Sequence, residues 1–290
     1  MKKLFALLLA LVLGATCLFT ATACSLFGGG EDADVLKIID VKLTDENYAF
    51  IMQKGNTELQ TAMNDFLAEI KSNGVFDTLV AKYFEGKGTK VGYDIAPSNT
   101  ANTTSNLVVV TNCPFEPFEY TEGGKIYGLD IEIAAAFAED QGLELVIKNL
   151  PTFDAIFPEI TSGYADVGMA GITISADREA LYDFSAPYYG ASQKLIVAAD
   201  NTDFDNCTTV EQVEAKIAEL SGKKIGYQNG TTGMMYVEGD ADWGFAGFAN
   251  VEGKGYASAQ DAAIDLKNGN IYAVVVDEAP ANAIVKAING

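Results

Sequence analysis

The sequence predicts an α/β fold of two lobes, each built on a parallel-rich sheet. From Leu107 onward, short runs of Val, Ile and Leu alternate with segments in which apolar residues recur at helical spacing, and a second such series follows Asn201. This alternation is typical of βαβ units. The chain has 290 residues, 49% of them hydrophobic, which is enough to bury two cores of ordinary domain size.

The elements before Leu107 do not follow this alternation. In chain order we predict strand 36–40, strand 48–52, helix 57–73 and helix 75–84. Apolar residues at every third or fourth position predict the first helix, and Gly74 is placed to end it. Residues 86–106 are rich in Gly, Pro, Ser, Thr and Asn and have no apolar periodicity, so we predict a linker there.

After Leu107, each predicted element follows from its own local pattern. Short β-branched runs predict strands 107–111, 143–148, 224–227 and 271–276, and helical periodicity predicts helices 130–141, 153–162, 209–220, 259–267 and 279–287, with a further helix from residue 231. The stretch 183–198 contains Pro187 and three aromatic residues, and we expect it to cross between the lobes.

The charge of the chain and its lack of histidine exclude several classes of function. Asp and Glu number 40 against 19 Lys and Arg, a formal net charge of −21, which disfavours DNA, RNA and anionic membrane surfaces as partners. The absence of histidine removes His-based general bases, Ser-His and Cys-His nucleophiles and most zinc and iron sites. We therefore expect no metal and no cofactor. Of the 19 basic residues, 18 are lysines and one is Arg178.

The first 23 residues have the layout of a secretory lipoprotein signal. Two lysines precede the apolar run 4–13, and small residues lead up to Cys24. A cysteine after small residues resembles the lipobox of bacterial lipoproteins, although Ala21 replaces the usual leucine, so we expect a lipid anchor on Cys24. An uncleaved membrane anchor is the alternative, but the apolar part is shorter than the ~20 residues of a spanning helix. Residues 24–35 are expected to form a tether.

Cys113 and Cys207 belong to the predicted folded part. Two cysteines do not make a disulfide framework. We assign them to different lobes, where a bridge would restrict motion, and therefore expect free thiols. A disulfide between them is the alternative in an exported protein.

Six motifs after residue 106 carry a resemblance to a known family. They are LVVVTNCPFEPFEY at 107–120, YGLD at 127–130, AGITISADR at 170–178, DFSAPYY at 183–189, GKKIGYQNGT at 222–231 and YAVVVD at 272–277. In this order they resemble the polar amino-acid-binding family of type II extracellular solute-binding proteins (bacterial solute-binding protein family 3), the ligand-capturing components of ABC importers. The resemblance implies a periplasmic-binding-protein-like type II fold, with two α/β lobes joined by a two-strand hinge.

The family's carboxy-terminal elements have their counterpart near the amino terminus of this chain. The motifs that resemble them are LTDENYAF at 43–50, KGNTEL at 54–59, NGVFD at 73–77 and KYF at 82–84. The resemblance implies a circular permutant in which linker 86–106 joins the family's original termini, and a separate helical appendage is the alternative. The implied lobes and hinge segments are 36–47 plus 190–290 for lobe 2, 48–85 plus 107–189 for lobe 1, and 46–48 with 187–192 for the hinge.

A free amino acid is a zwitterion, so its site needs donors for the carboxylate and an acid for the ammonium. Arg178 offers two parallel N–H groups that match a carboxylate, as lysine cannot, and the family's arginine at this motif binds the ligand carboxylate. A surface ion pair with Asp177 or Glu179 is the alternative. Asp277 ends an apolar strand, where ligands bind open α/β sheets, and the resemblance implies that it binds the ammonium. Its alternative role is the N-cap of helix 279–287.

Further ligand contacts follow from the resemblance. Backbone groups, hydroxyls and aromatic rings would be supplied by Gly171, Thr173, Thr231, Thr232, Phe115 and Phe153. The two threonines from lobe 2 open a helix whose N–H groups point at an anion site, although an ordinary turn is the alternative. For the two phenylalanines the alternative is plain core packing. Tyr188, at the lobe crossing, is a further candidate contact.

Asn112 and Gln228 bear on the side chain of the ligand. Relatives that prefer cations carry an acid at the first position, and some relatives carry lysine or leucine at the second. Both residues are uncharged hydrogen-bonding groups here, so we predict a polar, neutral side chain such as that of glutamine, asparagine or serine. Cystine or another amino acid is the alternative.

The sequence thus predicts a monomeric, lipid-anchored binding protein outside the cell membrane and not an enzyme. It would hand an amino acid to the permease and ATPase of an ABC importer. A sensor module for a membrane signalling partner is the alternative, because nothing in the folded part separates delivery from signalling. A cyclohexadienyl-dehydratase-like enzyme would need a positioned acid and cations for a second substrate carboxylate, and the single arginine argues against it.

Overall fold

The structure is a computed structural model that describes residues 34–290. The predicted signal peptide, Cys24 and residues 24–33 of the predicted tether lie outside the described residues. Over residues 34–290, no helix is both long enough and apolar enough to cross a lipid bilayer.

Strands and helices alternate along most of the described chain. The strands are β1 (Leu36–Ile39), β2 (Glu46–Tyr48), β3 (Ile51–Gln53), β4 (Asn106–Thr111), β5 (Tyr120–Glu122), β6 (Lys125–Tyr127), β7 (Glu144–Asn149), β8 (Val167–Gly168), β9 (Tyr182–Phe184), β10 (Tyr189–Ala191), β11 (Gln193–Ala198), β12 (Lys224–Gln228), β13 (Glu252–Tyr256) and β14 (Ala273–Asp277). The helices are α1 (Thr57–Ser72), α2 (Val75–Phe84), α3 (Leu129–Asp140), α4 (Ile156–Thr161), α5 (Ala176–Leu181), α6 (Val210–Glu219), α7 (Thr232–Glu238), α8 (Ala259–Lys267) and α9 (Glu278–Asn289). A short 3-10 helix (Phe153–Ala155) precedes α4.

Within residues 34–290 these strands form two large sheets, each of them mixed. In the first, ordered β7-β4-β8-β3-β9, β4 runs parallel to β7 and β8, whereas β3 runs antiparallel to β8 and β9. In the second, ordered β1-β11-β14-β12-β13, β12 runs parallel to β13 and β14, whereas β11 runs antiparallel to β14 and β1. We call the first sheet with α1 to α5 lobe 1, and the second sheet with α6 to α9 lobe 2.

The central strands are continuous apolar runs because helices cover both faces of each sheet. In β4, Leu107 and Val109 pack with side chains of α1, α2 and α3, whereas Val108 and Val110 pack with those of α4. Lobe 2 has the same layering, with α6 and α7 on one face of its sheet and α8 and α9 on the other. Both cores therefore fix the positions of their central strands by packing on both faces.

The chain passes between the two sheets twice, and the two passages pair with each other. β2 lies between β1 and β3 in sequence, and β10 lies between β9 and β11. β2 and β10 are antiparallel, with Tyr48 opposite Tyr189 and Glu46 opposite Ala191. This pair is the two-strand connection that the sequence predicts as a hinge.

The predicted strand 48–52 is divided into two strands. β2 pairs with β10, whereas β3 pairs with β8 and β9. Between them the N–H of Ala49 donates to the carbonyl of Ile172 (3.0 Å), and the N–H of Phe50 donates to the hydroxyl of Ser185 (3.0 Å). The chain changes hydrogen-bonding partners at these two residues, and apolar composition alone does not reveal such a change.

Residues 86–106, predicted as a linker, lie against lobe 1. Tyr93 and Ile126 exchange two backbone hydrogen bonds of 2.9 Å, and the N–H of Ala96 donates to the carbonyl of Ile147 on β7 (2.8 Å). Backbone hydrogen bonds of this kind do not need apolar side chains. The sequence pattern therefore predicts that residues 86–106 connect two elements, but not that they bind to the surface of lobe 1.

The circular permutation remains a prediction. The segment before the linker contributes β1 to the sheet of lobe 2, and β3, α1 and α2 to lobe 1, so it is not a separate helical appendage. Met63 and Leu67 of α1 are buried in the lobe 1 core. We propose that 86–106 joins two ends that are separate in the unpermuted family.

Cutting the chain once between residues 97 and 105 is expected to leave two fragments that remain associated and still bind ligand. This stretch is mostly exposed, whereas the amino-terminal fragment contributes strands to both sheets. An engineered protease site, followed by size-exclusion chromatography and a ligand-dependent thermal shift, measures both properties. If the amino-terminal fragment dissociates while the remainder still binds, the permutation is excluded.

Candidate functional site

A cavity lies between the two lobes. Its lining residues are Asn112, Phe115, Glu119, Phe153, Ala170, Gly171, Thr173, Arg178, Gln228, Thr231, Thr232 and Asp277. Ten of the eleven residues that the sequence predicts as ligand contacts are in this set, and the exception is Tyr188. Glu119 and Ala170 are additional.

The topology explains why residues so far apart in sequence meet at this cavity. Asn112 follows β4, Gln228 ends β12 and Asp277 ends β14, and the carboxyl ends of parallel strands lie at one edge of an open sheet. The position of Gly171 favours glycine, which has no side chain. Its φ is +53°, and a Cβ atom there would lie 2.6 Å from the ring of Phe115. A larger residue at this position would displace that ring from the cavity wall.

Arg178, on α5, is buried with a relative exposure of 7%. Its Nη1 donates to the carbonyl of Thr173 (3.0 Å) and its Nη2 to the carbonyl of Gly230 (2.9 Å), so the guanidinium contacts both lobes. Within the described part of the chain it forms no salt bridge, which argues against a pair with Asp177 or Glu179. A buried guanidinium without a carboxylate is a ready receptor for an anionic group.

The surroundings of Arg178 have opposing effects on its pKa. Burial lowers the pKa of Arg178 to about 10, against the opposing effect of nearby acids, so the group stays cationic at neutral pH. Three aromatic rings enclose the guanidinium, with centroids 4.9 to 5.5 Å from Cζ: Phe153, Phe157 and Trp243. Cation–π contacts of this kind hold the guanidinium plane in place while leaving N–H groups free for a ligand.

Asp277 reaches the cavity from the end of β14. The Tyr48 hydroxyl donates to its Oδ1 at 2.5 Å, and its side chain does not cap α9, so the predicted alternative role as an N-cap is not realised. Burial, together with the nearby carboxyl of Glu46, raises the pKa of Asp277 to about 7. An ammonium group placed beside Asp277 would favour its ionised form.

Glu46, on β2, is a site residue that the sequence reasoning assigns only to the hinge. Its Oε2 accepts hydrogen bonds from the hydroxyls of Thr173 (2.7 Å) and Thr232 (2.8 Å), one from each lobe. Its Oε1 accepts from Thr44 Oγ1 (2.5 Å) and Gln193 Nε2 (3.1 Å). One buried carboxyl group therefore joins both lobes to the connecting strand, behind the cavity wall.

Asn112 and Gln228 are bonded to each other across the cavity. Gln228 Nε2 donates to Asn112 Oδ1 (2.9 Å), and Asn112 Nδ2 donates to the carbonyl of Leu150 (2.8 Å). Both amides are buried. This bond links lobe 1 to lobe 2 and uses hydrogen-bonding capacity that the sequence prediction assigned to a ligand.

Glu119 is the second site residue that the sequence reasoning misses. Its relative exposure is 0%, and neither of its carboxyl oxygens has a hydrogen-bond partner within residues 34–290. Burial and the neighbouring Asp130 raise the pKa of Glu119 well above its ordinary value. Asp130 itself accepts from the Tyr188 hydroxyl (2.7 Å) and from the N–H of Gly171 (3.2 Å). Tyr188 thus acts on the site through Asp130 and is not a lining residue.

The remaining predicted residues differ in how they relate to the cavity and to the core. Phe115 and Phe153 line the cavity and also belong to the buried core of lobe 1, so the two alternatives coexist. Thr231 lies before α7, where its hydroxyl donates to the carbonyl of Gln228 (2.8 Å). Cys113 and Cys207 are free thiols, as predicted. Burial raises the pKa of the Cys113 thiol above its ordinary value.

Comparison with known proteins gives the same assignment for most of the chain. Residues 107–282 match the family model described as bacterial extracellular solute-binding proteins, family 3. The chain is 31% identical to the ABC transporter arginine-binding protein 1 of Escherichia coli over 64% of its length and 69% of the relative's. It is 27% identical to the L-cystine-binding protein TcyJ of the same species, over 77% and 78% of the two lengths. These relatives are binding proteins, which confirms the prediction of a non-enzymatic family.

Solved structures confirm the type II periplasmic-binding-protein-like fold. An ancestral arginine-binding protein bound to arginine is 34% identical, with a TM-score of 0.55 over 64% of this chain and 76% of that one. The same kind of ancestral protein bound to glutamine gives 34% and 0.54. An ancestral amino acid-binding protein described as a precursor of cyclohexadienyl dehydratase is 26% identical, with a TM-score of 0.54. The chain therefore belongs to the bacterial extracellular solute-binding proteins, family 3, as its motifs and its two-lobed fold indicate.

Proposed function

We propose that this chain captures a free α-amino acid in the cavity between its lobes and delivers it to an ABC importer. The observation that carries the proposal is Arg178, a buried guanidinium with no carboxylate partner within residues 34–290, at a cavity that Asp277 also lines. An α-amino acid brings one carboxylate and one ammonium, which complement these two groups. The relatives named above, which bind amino acids, support the proposal.

In this proposal each end of the amino acid backbone meets a preformed partner. The free N–H groups of Arg178 donate to the ligand carboxylate in a forked arrangement, aided by Gly171. The ligand ammonium donates to Asp277, whose orientation the Tyr48 hydroxyl fixes. The ligand side chain lies between Phe115 and Phe153. Because these groups come from both lobes, the ligand stabilises the form in which the lobes are close together.

The proposal also includes the location of the protein and its partners in the cell. We propose a lipid anchor on Cys24, which lies outside the described residues, and hence a position on the outer side of the cell membrane. We also propose that it acts as a monomer and delivers its ligand to the permease and ATPase of an ABC importer, and membership in the family supports this delivery. The acidic net charge of −21 is compatible with a protein that docks on other proteins rather than on anionic lipid.

Two amide residues of the cavity bear on the side chain of the ligand. The uncharged pair Asn112 and Gln228 predicts a polar, neutral amino acid, and glutamine remains a candidate on that basis. Through their mutual hydrogen bond, each amide also has a partner in the other lobe. The backbone contacts of Arg178 and Asp277 do not depend on the side chain.

A thermal-shift panel of the common amino acids tests the proposal directly. We expect at least one amino acid to raise the melting temperature, because a ligand at 100 times its Kd stabilises the native state by about 2.7 kcal/mol. The matched controls are analogues of that same amino acid without the carboxylate or without the ammonium, neither of which is expected to bind well. No shift with any amino acid, after ligand carried through purification has been removed by unfolding and refolding, would exclude the proposed function.

A further inference from the structure

Trp243 is a residue of lobe 2 that contacts the binding arginine of lobe 1. It is the one tryptophan of the chain, and it lies in the loop between α7 and β13. The centroid of its ring is 4.9 Å from Cζ of Arg178, closer than the rings of Phe153 and Phe157, which belong to lobe 1. Trp243 is not a lining residue of the cavity. It therefore acts on the guanidinium from outside the space that an amino acid would occupy.

The loop that carries Trp243 is anchored to lobe 2. Asp240 and Phe245 exchange two backbone hydrogen bonds of 2.9 Å, and Asp240 Oδ1 accepts from the N–H of Trp243 (3.3 Å). The rings of Phe245 and Phe248 pack edge-on against the ring of Tyr236 in α7, with centroid distances of 5.4 and 5.5 Å. In the described part of the chain, the backbone hydrogen bonds of this loop all stay within lobe 2. The loop therefore moves with lobe 2 and carries the indole with it.

The contact between Trp243 and Arg178 requires the two lobes to be close together. Nη2 of Arg178 also donates to the carbonyl of Gly230 (2.9 Å), so two groups of lobe 2 hold the same guanidinium. Separation of the lobes breaks both contacts and exposes the guanidinium to water. Because Arg178 is buried, an aromatic ring on its guanidinium stabilises it more than the same ring would at an exposed site. The indole thus favours the same closed form that a bound amino acid favours.

We infer that Trp243 is a latch of the closed form, which packs on the guanidinium of Arg178 as the lobes meet and slows the release of the bound amino acid. This inference rests on the proposed function, since the latch acts on a protein that holds an amino acid. Trp243 is a positioning residue, because it contacts Arg178 and not the amino acid. The contact forms only on closure, so its effect is expected in the rate of release and not in the rate of capture.

The variant Trp243→Leu is expected to release amino acid about 3- to 30-fold faster than the wild type, the range that a cation–π contact spans. Leucine keeps an apolar side chain but has no ring face. The probe is the amino acid that gives the largest shift in the thermal panel, radiolabelled and chased with an excess of the unlabelled compound. The association rate constant, obtained from the release rate and the calorimetric Kd, is expected to stay within about twofold of the wild type.

Two further variants separate a latch from a merely structural role. Trp243→Phe keeps a ring that can face the guanidinium, so its release rate is expected to lie within about threefold of the wild type. Phe248→Leu is the matched control in the same loop, because Phe248 packs on Tyr236 and not on Arg178. We expect Phe248→Leu to lower the melting temperature and to keep the wild-type release rate.

The fluorescence emission of Trp243 gives a second measurement that needs no variant. Because the chain has one tryptophan, excitation that selects tryptophan over tyrosine reports on this side chain alone. The protein is first freed of carried ligand by unfolding and refolding. Adding the same probe amino acid is then expected to shift the emission to shorter wavelength, because closure moves the indole from water onto the guanidinium.

Three results would overturn the inference. Trp243→Leu could release the amino acid as slowly as the wild type, Trp243→Phe could release it as fast as Trp243→Leu, or the wild-type emission could stay unchanged while calorimetry shows binding. Each result would leave amino-acid capture intact and exclude only the latch. If no amino acid shifts the melting temperature, the proposed function fails, and the latch fails with it.

Discussion

Replacing Arg178 with lysine is expected to weaken amino-acid binding by at least ~30-fold, the lower end of the roughly 2–5 kcal/mol lost when one partner of a buried charge pair is removed. Lysine keeps the charge but cannot form the forked pair of N–H bonds. Its single ammonium also cannot reach the carbonyls of Thr173 and Gly230 together while facing a ligand. Isothermal titration calorimetry with the amino acid that the thermal-shift panel selects measures the loss.

The control for this substitution must separate binding from folding. The guanidinium also joins the two lobes, so Arg178→Lys will lower the melting temperature of the free protein, and the fraction folded must be checked at the temperature of the titration. Glu179→Gln is the matched control on the same helix, because Glu179 is exposed and is the partner of the alternative surface ion pair. We expect it to keep the wild-type affinity. A lysine variant that is folded and binds within threefold of the wild type would contradict the assignment.

The contribution of sequence and structure to the site can be judged from Glu116 and Glu119. Both belong to the motif PFEPFEY. They are the same residue type and each follows a phenylalanine, so the sequence does not distinguish them. In the structure the N–H of Phe115 donates to the carbonyl of Glu119 (2.7 Å), and the turn between them leaves Glu116 exposed and Glu119 fully buried. Burial of a charged residue depends on the path of the chain, so its meaning cannot be obtained from residue type and spacing.

Glu46 illustrates a second limit of sequence reasoning. Three of its four hydrogen-bond partners, Thr173, Gln193 and Thr232, are distant from it in the sequence. The sequence predicts the elements that carry these partners, but not the distance between them. Residues at the carboxyl ends of apolar strands, such as Asp277, were accessible to prediction because strand direction alone brings them to one edge.

The strand β13 shows the same limit at the level of the fold. Its sequence, EGKGY, has two glycines, a lysine and no apolar alternation, so local pattern does not predict a strand. It is a strand because it runs parallel to β12 at the edge of the lobe 2 sheet, with five paired residues. The central strands, which are buried on both faces, have the apolar runs that sequence patterns detect.

Asp277→Asn is expected to weaken binding by on the order of 100-fold at pH 8, because it replaces an ionised partner of the ligand ammonium with a neutral amide. The Tyr48 hydroxyl can still donate to the amide oxygen of the substituted side chain, which therefore keeps its position. Asp166→Asn is a matched control for the effect on stability only. Asp166 lies away from the cavity, where it accepts hydrogen bonds from Asn102 and Val108. Affinity of the folded Asp277→Asn variant within threefold of the wild type would contradict the role of Asp277.

The pH dependence of binding provides the sharper form of this prediction, and its sign follows from the raised pKa of Asp277, about 7 against 3.8. In the free protein, a raised carboxyl pKa means that the native state binds more protons than the unfolded state, so this contribution to stability is lost as pH rises through 7. The ligand acts in the opposite direction, because its ammonium favours the ionised carboxylate and must displace the proton below pH 7. We therefore expect affinity to rise from pH 5.5 to pH 8 in the wild type, and this part of the rise to be absent in Asp277→Asn. Equal slopes of log Kd against pH in the two proteins would show that Asp277 does not meet the ammonium.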